Sequence, residues 1–348
     1  MFEMKRLVAV AVALALITGL AGLAAAQDEA AEESKIGVWQ KEIDVSLNIL
    51  QSSYTNNWNG GDKGSVVWNG QFSANLEKQF SERTNWRNIL KLAYGQTHNQ
   101  ERDAGGDLYW KRPDKTDDLI DFESMFRLTY DSGWNPYFAF NFKSMFEDLS
   151  DIEQRSLSFN PLTFKESAGI SRTFIDEEDR QFMSRVGVAF IQNSRKYFLN
   201  PSPATETQSE STNEAGAEWI TEYKVGALDG RVDWESKLSF VMPFAFSGKS
   251  TFEDGFNIAD PANPLPDDLA GYTTTVDVDF ENTFTANITK VISVKLYLRW
   301  VYDKYDNTVG PVVDETNTLV NEAAVRQAIR KSGQFKQTLA LGFGYKWN

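Results

Sequence analysis

The chain has a single histidine and no cysteine among its 348 residues, so nucleophilic and metal chemistry have few starting points. Hydrolysis needs a base within reach of a nucleophile, usually His beside Ser. His98 continues an alternating row of Leu90, Leu92, Tyr94 and Gln96. Its expected neighbours on the preceding segment are Val66 and Trp68, neither of which is a nucleophile. The following segment offers Thr116 or Asp118 at that height, while Ser124 lies too deep. Gly-x-Ser-x-Gly is absent. No catalytic residue is assigned on this pattern. A lipid-modifying enzyme using His98 stands as the weakest of three functional readings. The acids Asp254, Asp260, Asp267 and Asp268 match no cation-loop spacing, so neither a metal nor a cofactor is expected.

The remaining chemistry is charge. Arg87, Lys91, Asp121, Glu123, Arg127, Lys143, Glu222, Asp233, Lys237, Asp277, Asp279, Glu281, Lys295 and Arg299 each sit on the polar face of an alternating segment. The same faces carry Lys165, Arg185 and Glu218. Mixed signs at every second position admit two readings. The set can be a polar conduit whose ring charges select small solutes. It can equally be a salt-bridged interior that holds its scaffold rigid. Asp277, Asp279 and Glu281 are placed to pair with Lys295 and Arg299, and Lys237 with Glu222.

The elements that must carry these residues are strands, because alternate side chains of a strand point to opposite faces. Ile292, Val294, Leu296, Leu298 and Trp300 oppose Ser293, Lys295, Tyr297 and Arg299. Val278, Phe280 and Phe284 oppose Asp277, Asp279 and Glu281. About twelve such segments follow one another, each of about nine to thirteen residues, the reach of a tilted membrane strand. Leu162–Phe174 fits least well, since Glu166 and Arg172 fall on its apolar face; a bulge, or charges at the two interfaces, would accommodate them. The connections alternate strictly between short (Ser81–Thr84, Asp131–Gly133, Asp176–Arg180, Gly226–Asp229, Thr289–Lys290) and long. That rhythm is expected of a transmembrane antiparallel up-and-down β-barrel with short periplasmic turns and long extracellular loops. A secreted sandwich or lipocalin-like barrel is the competing fold, and it has no reason to keep that rhythm.

Export is written at the N-terminus. Lys5 and Arg6, the apolar run Leu7–Leu23 and Ala24-Ala25-Ala26 read as a cleaved signal peptide over residues 1–26. Residues 27–40 read as an acidic periplasmic segment and 41–348 as the barrel. The net charge of −14 excludes nucleic acid as a partner, because binding it requires phosphate neutralisation. At the other end Leu341, Phe343, Tyr345 and Trp347 alternate with small or polar residues, as in the terminal strand that outer-membrane barrels present to the barrel-assembly machinery. The expected partners are that machinery, outer-membrane lipid and, for a conduit, small polar solutes; the pattern does not set an oligomeric state.

Ser53-Tyr-Thr-Asn-Asn-Trp58-Asn-Gly60-Gly61-Asp resembles the N-W-x-x-G-G-type stretch that follows the first strand in an uncharacterised outer-membrane barrel family, a domain of unknown function. The Trp-to-Gly spacing here is one residue shorter. Leu90-Lys-Leu-Ala-Tyr94-Gly95-Gln-Thr97, Lys115-Thr-Asp-Asp-Leu-Ile-Asp121 and Tyr137-Phe-Ala-Phe-Asn-Phe142-Lys143 resemble its later blocks. The resemblance is concentrated in residues 40 to about 175. It implies an outer-membrane barrel and supplies no activity or site residue. A narrow channel for small polar solutes is the leading expectation, ahead of a closed structural barrel acting through its external loops.

Overall fold

A computed structural model describes residues 36–347, apart from 57–61, 152, 154, 178, 199–201, 229, 260, 290, 291 and 331. For 343–347 it describes only the backbone. The signal segment, most of the acidic lead-in, and Trp58, Gly60 and Gly61 therefore lie outside the described residues.

Thirteen strands run in chain order: β1 (Trp39–Ser52), β2 (Ser65–Ser81), β3 (Thr84–Arg102), β4 (Leu108–Trp110), β5 (Asp114–Leu128), β6 (Asn135–Ser144), β7 (Leu162–Asp176), β8 (Arg180–Phe198), β9 (Thr207–Ala227), β10 (Val232–Phe246), β11 (Asp277–Asn287), β12 (Ile292–Tyr302) and β13 (Gln334–Trp347). All pairs are antiparallel, and β13 returns to β1, so twelve strands close a barrel. The three-residue β4 is a hairpin flap on the outer end of β3. The expected fold, strand number and short–long connection pattern are all present. The closing seam is short: Ile43–Leu47 pair with Trp347–Phe343, whereas β1 pairs with β2 along its whole length.

Inside and outside are inverted relative to a soluble protein. Leu339 is 68% exposed and Val188 58%, while Arg185 is 1% exposed. Burial of apolar surface drives folding in water, so a large apolar exterior is stable only against a non-aqueous surround. This removes the secreted-sandwich alternative.

The outer wall ends at the short-turn side in a ring of aromatics. Trp39, Phe80 and Trp86 cluster together, and Phe174, Phe182, Tyr223, Trp234 and Phe284 form a continuous chain of ring contacts. Three indole N–H groups on this wall are paired within it. Trp86 Nε1 donates to Ser124 Oγ at 2.9 Å, Trp219 Nε1 to Ser184 Oγ at 2.8 Å and Trp234 Nε1 to Asn282 Oδ1 at 3.1 Å. An unpaired donor in an apolar surround would cost a few kcal/mol, roughly 1–3.

The strand that fitted the pattern least well is a regular partner of β6 and β8. Its Arg172 lies over the rings of Trp134 (5.1 Å) and Phe174 (5.4 Å), so the cation sits within the aromatic ring. Its Glu166 accepts from Gln192 at 3.4 Å.

The barrel is uneven in height. β11 and β12 have 11 residues each, whereas β8 has 19 and β9 has 21, about twice what a membrane strand requires. The two longest loops, between β10 and β11 and between β12 and β13, fold against this raised wall. They contain three short helices, α1 (Lys249–Asp254), α2 (Leu269–Tyr272) and α3 (Glu322–Ala328). Phe246, Leu269, Tyr305, Val309, Leu319, Val325 and Ala328 form a hydrophobic core there, with Val325 fully buried. The outer mouth thus carries a folded cap with its own core.

Candidate functional site: the barrel interior

The inward side chains stack in tiers. At the short-turn end Lys224 bridges Glu42 (2.9 Å) and Glu235 (3.4 Å), and Arg127 reaches Glu77 (3.7 Å). Asp233 lies at the same end and accepts from Asn287 at 3.3 Å.

The next tier is the most buried. Arg185 on β8 reaches across to Glu123 on β5, with Nη2–Oε2 2.6 Å and Nη1–Oε1 3.3 Å. Its Nη1 also lies 3.1 Å from Met125 Sδ, and its guanidinium 5.5 Å from the Tyr137 ring centre. Arg87 joins Glu123 (3.4 Å) to Glu222 (2.9 Å), and Lys237 faces both carboxylates at 3.7 and 4.0 Å. Lys165 pairs with Glu218, which also accepts from Tyr137 Oη at 3.4 Å. Long cationic arms on four strands therefore converge on three carboxylates. Each charge has a partner of opposite sign, which is the condition for keeping charges out of water.

Tyr137 fits because Gly187 leaves room for its hydroxyl end. Gly169 and Gly187 are directly opposed on β7 and β8. A Cβ on Gly187 would press on the Ala168 carbonyl oxygen and would stand 2.7 Å from Tyr137 Oη. A Cβ on Gly169 would meet the Val186 carbonyl.

Above this tier Lys143 meets Asp121 (3.6 Å), and Arg299 binds Asp279 through two nitrogens (2.7 and 2.9 Å) with Glu281 at 3.6 Å. Lys336 spans the interior to Asp117 at 2.7 Å. Between the two tiers is a cavity of about 40 Å³ lined by both signs of charge, including Lys91, Asp121, Lys143 and Lys165. At the mouth Asn307 of the cap descends onto the raised wall. Its Nδ2 donates to Glu214 (2.5 Å) and to the Thr273 carbonyl (3.0 Å), and its own carbonyl accepts from Thr212 (2.6 Å). Asp277 meets Asp303 of the cap loop carboxyl to carboxyl.

Of the residues named from the pattern, Arg87, Glu123, Glu222 and Lys237 meet in the buried tier, Lys91 lines the small cavity with Asp121 and Lys143, and Arg127, Asp233, Asp277, Asp279, Glu281 and Arg299 make the contacts given above. The expected pairs Arg299 with Asp279 and Glu281, and Lys237 with Glu222, are present. Lys295 departs from expectation: it binds Asp44 on β1 at 2.6 Å rather than an acid of β11. The intervening strand β13 offers only Ala340 and Gly342 on its inner face near it, so the long lysine passes over them. Glu147 accepts from the outward Tyr94 hydroxyl at 3.1 Å. Residues missed by the pattern include Glu42, Lys224, Tyr137, Asp117, Lys336 and above all Asn307, which lies in a loop where no alternation marks it.

On the outer wall His98 pairs with Val66, as expected, and its ring lies 5.3 Å from Trp110. The regular ladder sets Asp118 opposite Tyr94, and the register shift between Gly95 and Gln96 skips Thr116 and sets Lys115 opposite Gln96, so neither Thr116 nor Asp118 comes level with His98. Among the described residues no group of three or more His, Asp or Glu side chains is arranged to hold a metal. For the C-terminal row, Leu341 is 64% exposed on the outer wall. The side chains of Phe343, Tyr345 and Trp347 lie outside the described residues.

An even number of antiparallel strands, an apolar outer wall with an aromatic ring, and a paired ionic interior define the outer-membrane type of up-and-down β-barrel. Residues 49–148 match the model of a family described as "Protein of unknown function (DUF3078)", in the part of the chain where the resemblance was concentrated. No curated protein matches the sequence. Among solved structures, the COG4313 outer membrane channel from Pseudomonas putida F1 is 8% identical, with 92% of this chain and 100% of that chain covered and a TM-score of 0.39. The translocator domain of the autotransporter NalP from Neisseria meningitidis is 6% identical, covering 99% and 98%, with a TM-score of 0.34. OprB of Pseudomonas putida at low pH is 6% identical, covering 91% and 100%, with a TM-score of 0.21. Values this low carry no function across, and the barrel assignment rests on the strand register itself.

Proposed function

We propose that this protein is exported by its N-terminal signal, spans the bacterial outer membrane, and acts there as a closed barrel that presents its folded cap outside. The observation that carries the reading is the buried Arg185–Glu123–Arg87–Glu222 tier, whose mutually paired side chains reach across the interior between β3, β5, β8 and β9. The cavity above it, about 40 Å³, has room for a few waters at most. A solute path needs more. Charges paired as strongly as these also give little selectivity to a passing ion. We read the role as non-enzymatic, because the carboxylates of this tier, Glu123, Glu222 and Glu218, are already held by cations.

The leading expectation from the pattern, a narrow channel for small polar solutes, becomes the second reading. It is favoured by one feature, the small polar cavity lined by Lys91, Lys143, Lys165 and Lys237 and by Asp121, Glu123, Asp279 and Glu281, which would take a small polar solute if the tier shifted.

Planar-bilayer recording of the purified protein separates the two. The closed reading expects no unitary steps from the wild type and steps on replacing Arg185 and Arg87 together by Ala. Reproducible steps from the wild type, or swelling of solute-loaded liposomes, would establish the channel instead.

A further inference from the structure

One cavity lies on the outer wall. It has a volume of about 360 Å³ and is lined by Val66, Trp68, Gln96, His98, Trp110 and Pro113. That is within the range of small-molecule sites, about 300–1,000 Å³. We propose that this groove seats the phosphate-bearing headgroup and upper acyl segment of an anionic membrane lipid. The proposal rests on the membrane reading above.

Position is the first argument. Val66 and Trp68 of β2 and Gln96 and His98 of β3 are outward residues at the outer ends of their strands. Below them the wall continues as Trp68 against Tyr94 (5.8 Å) and the cross-strand pair Phe72–Leu92, which are lipid-facing positions. A chain lying on that row would end in the groove. The groove itself is made by β4, which folds back on β3 and sets Trp110 against His98. Its floor is apolar, and Gln96 and His98 are side chains able to hydrogen-bond an ester or phosphate oxygen.

Charge is the second argument, and it selects the headgroup. Lys111 and Arg112 lie between the groove residues Trp110 and Pro113, and both are exposed. Lys111 is loosely met by Asp114 at 3.5 Å, and Arg112 makes no ion pair among the described residues. The surroundings are the opposite: the chain carries a net charge of −14, and Asp103 and Asp107 stand at the tip of the same hairpin. Anionic headgroups are repelled from the tip and meet their attraction at this dipeptide. Trp beside a basic residue, at the height where hydrocarbon gives way to headgroups, suits such a lipid.

The test titrates the purified full chain in detergent micelles with phosphatidylglycerol or phosphatidylcholine of identical acyl chains, and counts retained lipid by native mass spectrometry. The wild type should retain phosphatidylglycerol preferentially. Replacing Lys111 and Arg112 by Gln should reduce that preference by about five-fold per charge. Trp110→Ala should weaken both lipids alike, and Arg83→Gln, an exposed base at the opposite end, should change neither. Equal retention of the two lipids by the wild type overturns the proposal. So does an unchanged preference in the double variant, or an equal loss in Arg83→Gln. Insertion into liposomes is scored separately by heat-modifiable gel migration. A chain that does not insert refutes the membrane reading and this proposal together; one that inserts without lipid preference refutes only the groove.

Discussion

Replacing Arg185 by Met removes the central cation while keeping an unbranched apolar side chain in its place. The residue is 1% exposed and holds Glu123 at 2.6 Å, a carboxylate that is itself 6% exposed. Removing one partner of a buried pair costs about 3–5 kcal/mol, because the other charge is left without compensation. Glu123 would not be wholly abandoned, since Arg87 and Lys237 remain at 3.4 and 3.7 Å. The expected loss is therefore at the lower end, about 3 kcal/mol. Adding Glu123→Gln removes the uncompensated charge, so the double variant should be less destabilised than the sum of the two single variants, by at least about 1 kcal/mol of coupling. Urea titration of the folded band in detergent, for the four members of the cycle, measures both quantities. An Arg185→Met barrel within about 0.5 kcal/mol of wild type would show that this tier is not under electrostatic load. Strict additivity in the cycle would show that the 2.6 Å contact carries no specific energy.

Three further outcomes follow from the same structure. Asp303, at the base of the cap, is pushed up to about 7 by burial and by Asp306 and Glu214, against the opposing pull of Arg330. A carboxyl raised on folding stabilises the docked cap fully below its ordinary range and loses that contribution as pH rises through its folded value. Protease resistance of the cap should accordingly fall between about pH 4 and pH 7, and Asp303→Asn, which keeps the acceptor for the Tyr305 N–H, should flatten the profile. Gly187→Ala should displace Tyr137 from its seat against Glu218 and cost about 1–3 kcal/mol as overpacking, read by the same urea titration; a neutral result would mean that Gly187 is not making room for the ring. Val325→Asp places a carboxylate in the middle of the cap core and should open residues 247–333 to protease. The heat-modifiable barrel band should survive this change, and its loss would mean that cap and barrel fold as one unit.

How far the sequence reveals this structure depends on the periodicity of each part. A period of two assigns every strand residue to a face, so Asp279, Glu281 and Arg299 could be placed inside without knowing their neighbours. Pairing across the interior was not legible. Arg185 and Glu123 lie on strands separated by two others, and their meeting depends on the register of every strand between them. Lys295 shows the same limit from the other side, since its partner was decided by small residues on the strand it crosses. The cap was illegible for a different reason. Phe252, Leu265, Leu269, Val309, Leu319 and Val325 are spaced irregularly among Pro, Asp and Asn, and their core forms only when two loops far apart in sequence come together. Arg172 looked out of place on an apolar face because a one-strand pattern does not reveal the two aromatic rings beneath it.

The seam between β1 and β13 sets the order in which the wall can be assembled and the place where it can be taken apart. Ile43–Leu47 against Trp347–Phe343 is a short joint in a ring whose neighbouring joint, β1 with β2, runs the full length of the strand. A curved sheet of twelve strands can therefore form and hold its shape while still open, and closure adds comparatively few hydrogen bonds at the end. The same arithmetic applies under load. Force applied to either terminus acts directly on the shortest joint, so the ring should fail there first, as an unrolled sheet rather than a collapsed one.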